Sequence, residues 1–188
     1  MKTLVIDTET TGLSPRFNKT LTVGMLLIDV EKDFLEIIDS NHVFVRHENY
    51  NANPYALAVN KINLNEHHKI AIPPVIACER INSFVEKNEL LETPILGHNV
   101  NFDRGFLNVL FREANVKAKF FDEFIDTMQI WKHLKSKNTA LWGLRNNLGT
   151  LADFFRVDYS RSHDALMDCH ITARVYSKML KMIEHNNY

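Results

Sequence analysis

Polar and apolar positions change their period several times along the chain, and each change predicts an element. Leu4-Val5-Ile6 is a short apolar run that stops at Asp7 and is followed by Thr10-Thr11-Gly12, which predicts a buried strand ending in acids and running into a turn. Leu21 to Val30 and Leu35 to Val45 predict two more strands, and the polar Glu31-Lys32-Asp33 between them makes the opening an antiparallel meander. From Pro54 to Glu86 the chain reads as helical in pieces: Ile76, Arg80, Ile81, Phe84 and Val85 approach helical spacing, and Pro73-Pro74 impose a break. Pro94 to His98 predicts another buried strand, Phe106, Leu107, Leu110 and Phe111 an amphipathic helix reaching about Ala114, and Phe124-Ile125-Asp126 a further strand. The clearest periodicity is the last, where Leu166, Cys169, Ala173, Tyr176, Leu180 and Ile183 step by three or four residues. Strands first, then strands alternating with helices, give an α/β or α+β domain with a mixed sheet.

Composition narrows the classes. At 188 residues with 45% hydrophobic and 24% charged, the chain is a single domain (residues 1–188) with enough apolar content for a core. The 22 basic residues balance 23 acidic ones to a net charge of −1, so no long-range field attracts a polyanion and a nucleic-acid ligand must be held locally. Two cysteines, Cys78 and Cys169, permit at most one disulfide, and Met1-Lys2-Thr3-Leu4 leads into a strand without a secretory pattern. A cytoplasmic location and no membrane span are expected.

Three clusters carry candidate chemistry. Asp7 and Glu9, two apart at a strand end, leave the same face and can converge on one cation, although a solvated strand end gives the same pattern. His98-Asn99-Val100-Asn101-Phe102-Asp103 follows a strand and opens a helix, where the dipole alone would favour an acid at Asp103. Ser162-His163-Asp164-Ala165-Leu166-Met167-Asp168 begins the strongest helix. Five residues rotate a helix by about 500°, so His163 belongs to the preceding loop if Asp168 is helical. Asp168 then lies at the rim of the buried face.

Taken together, Asp-x-Glu-Thr-Thr-Gly at 7–12, His-Asn-x-x-Phe-Asp at 98–103 and His-x-Ala-Leu-x-Asp at 163–168 resemble the DEDDh family of 3′-to-5′ exonucleases. The resemblance runs from about Thr3 to Leu180 and includes Asp126-Thr127. It implies a ribonuclease H-like fold with a five-stranded mixed sheet flanked by helices. It also implies that Asp7, Glu9, Asp103 and Asp168 bind two Mg²⁺ or Mn²⁺ ions and that His163 is the general base. Thr10, Leu13, His98 and Phe102 match positions lining the terminal nucleotide. Two positions depart from the pattern: Asn60-Lys61-Ile62 stands where relatives often have His-Gly-Ile, and Asp164 where a non-acid is usual.

The implied activity is hydrolysis at 3′ ends of single-stranded or frayed nucleic acid, releasing nucleoside 5′-monophosphates. Single-stranded DNA is the expected substrate, with RNA trimming or oligoribonuclease action as the alternative and a polymerase as a candidate partner. A non-catalytic nucleic-acid-binding or polymerase-tethering domain is the rival, and oligomeric state is left open. His67-His68, in a polar stretch between helical pieces, reads as surface rather than zinc site, since no cysteine or third histidine accompanies it. Trp131 and Trp142 bracket a basic segment with no acid from 131 to 145, which suits either phosphate contacts or a solvated helix with its tryptophans turned inward.

Overall fold

A computed structural model describes residues 1–31, 34–120, 123–160 and 162–185; Lys32 and Asp33 of the expected linker fall outside them. The sheet has five strands: β1 (Lys2–Thr10), β2 (Thr20–Glu31), β3 (Phe34–Phe44), β4 (Ile95–Gly97) and β5 (Phe124–Asp126), in the order β3-β2-β1-β4-β5. β1–β2 and β2–β3 pair antiparallel, while β1–β4 and β4–β5 pair parallel. The expected mixed sheet is therefore present.

Seven α-helices cover it among the described residues: α1 (Pro54–Asn60), α2 (Leu64–Ile70), α3 (Pro74–Lys87), α4 (Asn101–Glu113), α5 (Thr127–Lys137), α6 (Leu148–Phe155) and α7 (Ala165–His185). Pro74 opens α3, where its missing N–H costs nothing. The period of two along β1 sorts the layers. Leu4 and Ile6 face a core shared with α3 and α4, including Ile81, Phe84, Leu107 and Phe111. Val5 faces the other way, onto Cys169, Ala173 and Tyr176 of α7. Both cysteines are free and buried.

Three expectations change. β1 continues beyond Ile6 to Thr10, so Asp7 and Glu9 lie inside the strand; the β-branched Thr8 and Thr10 sustain the pairing to Thr20. His67 and His68 lie within α2 rather than between helices, and His67 is buried with Nε2 2.9 Å from the Val45 carbonyl. Finally, α6 adds a helix where the sequence predicts no element, although Leu148, Leu151, Ala152 and Phe155 keep helical spacing over its two turns; it packs with α5 and α7 in a separate apolar cluster.

Candidate active site

The alternation of β1 carries Val5, Asp7 and Glu9 onto the face that α7 covers. Opposite Asp7 in the β1–β2 register stands Gly24. A Cβ there would lie 2.4 Å from the carbonyl carbon and oxygen of Ala165, so the first turn of α7 rests directly on the β2 backbone. This contact delivers Asp168, one turn along α7, to the acids of β1. One oxygen each from Asp7, Glu9 and Asp168 lies within 4.8 Å of the others.

Asp103 joins from α4, as its third residue, and is buried. Both the backbone N–H and the hydroxyl of Thr8 donate to its Oδ1, at 2.8 and 2.7 Å. This acid is thus drawn to β1 by a neutral neighbour between the two strand acids, and stands outside the 4.8 Å group. Asp168 accepts the backbone N–H of His163 at Oδ2 (3.1 Å), while its Oδ1 is buried with no protein partner among the described residues.

Such crowding is costly without a counter-charge, and the titration of the acids reflects it. Burial first, then Asp103, Asp168 and Glu9, hold Asp7 well above the ordinary carboxylate range. Burial and the charges of Asp168 and Asp103 push Glu9 up to about 8, against a downward pull from Asn60. Burial raises Asp103 to about 7 despite its bonds from Thr8, and Asp168 to about 6 despite the His163 N–H. A hard divalent cation would satisfy the donor set: the ligands are all oxygen, three converge, and one buried oxygen lacks a partner.

A family model described as Exonuclease matches residues 4–176. The chain belongs to this exonuclease family. It is 28% identical over 184 residues to the PolC-type DNA polymerase III of Caldanaerobacter subterraneus subsp. tengcongensis, covering 96% of this chain but only 12% of that protein. It is 25% identical over 190 residues to ribonuclease T of Buchnera aphidicola subsp. Schizaphis graminum, covering 94% of this chain and 82% of that one. The fold matches that of E. coli exonuclease I in complex with a dT13 oligonucleotide, with a TM-score of 0.83 at 17% identity over 99% of this chain and 42% of that chain. The chain carries an exonuclease-family domain with a ribonuclease H-like fold, similar to ribonuclease T and, in fold, to exonuclease I.

In this exonuclease-family chain the remaining predicted residues occupy varied positions. His163 is exposed in the loop before α7, with φ of 72°, and lines clefts on both sides. Leu13 is 83% exposed and Phe102, at the start of α4, is half-buried with its ring 4.9 Å from that of Phe106. Thr10 is buried and its hydroxyl donates to the Gly12 carbonyl (2.7 Å). His98 has both ring nitrogens occupied, Nδ1 by the Thr127 hydroxyl and Nε2 by the Asn146 carbonyl, each at 2.9 Å. Its ring ties β4 to the segment before α6.

The two departures from the family pattern acquire structural roles. Asn60 is buried at the end of α1, donates to the Thr10 carbonyl (3.1 Å) and also bonds Glu9, so an amide supports this carboxylate. Asp164 caps α7 through its Oδ1, which accepts the Met167 N–H (3.0 Å) and lies 4.0 Å from His42 Nδ1. Sequence reasoning did not single out Thr8, Gly24 or His42; Thr8 carried a readable signal in its place between Asp7 and Glu9.

Proposed function

We propose that the chain is a metal-dependent 3′-to-5′ exonuclease acting on single-stranded or frayed ends, with DNA as its substrate. The observation that carries this reading is the convergence of Asp7, Glu9 and Asp168 within 4.8 Å, with one buried carboxylate oxygen of Asp168 left without a partner among the described residues. Asp7, Glu9 and Asp168 would hold a divalent ion, with Asp103 completing the acidic set beside them. Two Mg²⁺ or Mn²⁺ ions, when bound, would supply a nucleophile of lowered pKa and neutralise charge on the phosphate and leaving oxygen.

The chain's own residues do the rest. His163, exposed and tethered by its backbone to Asp168, accepts the proton of the attacking water through its imidazole. The two bonds from Thr8 fix the rotamer of Asp103, and Asn60 holds Glu9. Leu13, with its side chain in solvent, and Phe102 offer apolar surfaces to terminal bases, which favours unpaired ends and tolerates any base.

DNA is favoured by the similarity to a PolC-type DNA polymerase, which also makes polymerase association and a cytoplasmic location part of this reading. The similarity to ribonuclease T favours RNA 3′-end trimming as the second reading. Matched digestion of 3′-labelled and 5′-labelled DNA and RNA strands, with and without Mg²⁺ or Mn²⁺, tests both. A 5′-labelled strand should shorten in single-nucleotide steps while a 3′ label is released at once as a mononucleotide. Cleavage of circular single strands would refute the exonuclease, and binding without hydrolysis would identify a tether.

A further inference from the structure

The acid-free segment from 131 to 145 separates its two tryptophans into different environments. Trp131 is fully buried in the α5–α6–α7 cluster, with its indole N–H on the Arg145 carbonyl (3.1 Å). Trp142 is 63% exposed. Its indole is nonetheless fixed, because Nε1 donates to the Lys135 carbonyl near the end of α5 (2.8 Å). A Cβ at the adjacent Gly143 would meet nothing within 4 Å, so there is open space beside the tryptophan. Lys137 and Arg145 flank it in sequence and are exposed.

This platform is fastened to the active site. Lys135 Nζ bonds the Leu144 carbonyl and the Asn146 side chain. The backbone carbonyl of Asn146 in turn accepts from His98 Nε2 (2.9 Å). The next residue, Asn147, lines a cleft of about 270 Å³ together with Gly149, His163 and Asp168. From Trp142 to Asn147 the chain can span no more than about 18 Å.

We infer that Trp142, with Lys137 and Arg145, forms a second site for single-stranded nucleic acid, holding the strand a few nucleotides from its 3′ end. This deepens the exonuclease reading and rests on it. A base stacks on the fixed indole, and the two cations contact neighbouring phosphates. An aromatic ring held in water by a hydrogen bond at its edge keeps its face free and loses little entropy on stacking. The chain as a whole carries a charge of −1, so cations concentrated on an acid-free segment are local compensation for a polyanion.

The test uses 5′-labelled oligothymidylates from two to about twelve nucleotides, with oligouridylates as a second series. Wild-type KM should fall with length and then level. Trp142→Ala should raise KM on the longer strands roughly 5- to 100-fold, leaving kcat and the dinucleotide KM unchanged, and Trp142→Phe should restore most of the affinity. Lys137→Gln or Arg145→Gln should each reduce the slope of log affinity against log salt by about 0.7. Unchanged KM at every length, or an equal loss on the dinucleotide, overturns the inference. Fluorescence anisotropy with the same strands in EDTA separates it from the reading beneath it. If the wild type cleaves nothing, the exonuclease reading fails, and equal binding by wild type and Trp142→Ala then refutes the second site as well.

Discussion

Replacing Glu9 by Gln tests the electrostatic account of the acidic cluster with almost no change in shape. Glu9 rises from 4.5 to about 8, chiefly by burial and then by Asp168 and Asp103. Each unit is worth about 1.4 kcal/mol, so the full shift corresponds to about 5 kcal/mol, and partial exposure of the residue lowers this to about 2–5 kcal/mol. The sign follows from linkage. A carboxyl whose folded pKa is raised favours the folded state while protonated; that contribution is complete below the unfolded value near 4.5 and is lost as pH rises through about 8. In EDTA, wild type should therefore lose stability between pH 5 and 9, whereas Glu9→Gln should lose less. Near pH 9 the variant should melt on the order of 10 °C higher, and near pH 5 the two should nearly coincide. Adding Mg²⁺ at pH 8 should narrow the gap, because wild type gains about 2.7 kcal/mol at a hundredfold excess over Kd and the variant gains less. Differential scanning fluorimetry over pH, with and without the ion, reads all three outcomes. Wild-type stability that rises from pH 5 to 9 in EDTA, or a variant that tracks it in parallel, would refute the argument.

Gly24→Ala should cost about 1–3 kcal/mol and most of the nuclease activity, since the new methyl meets the Ala165 backbone at 2.4 Å and must displace the turn that delivers Asp168; denaturant melts and a digestion assay check it. His163→Asn should lower kcat roughly 10²- to 10⁴-fold with little change in Mg²⁺ affinity; an unchanged kcat in a digestion assay would assign the proton transfer elsewhere. Asp164→Ala should cost about 1 kcal/mol by removing the α7 cap, and Asp164→Asn should retain it, as compared by urea melts.

What the sequence discloses and what it hides follow from the range of the interactions involved. The sheet, α4 and α7 are written in short-range periodicity; Asp7 and Glu9 share a face through the alternation of β1, and Asp103, His163 and Asp168 follow from the helix that each opens or precedes. Helix α6 is obscured by its length, since two turns give its apolar spacing at Leu148, Leu151, Ala152 and Phe155 only one repeat. Contacts over long sequence separations leave no local period at all: Thr8 reaches Asp103, Asn60 reaches Thr10, and Gly24 admits Ala165. Asn60 illustrates the consequence. Compared by motif it is a lost histidine, but in space it is an amide held between the Thr10 carbonyl and the Glu9 carboxylate. An amide donor pulls the Glu9 pKa down while burial and like charges push it up, and carries no titratable proton of its own near neutral pH. The substitution therefore leaves His163 tied to Asp168 as before, and changes how Glu9 is held without removing its support.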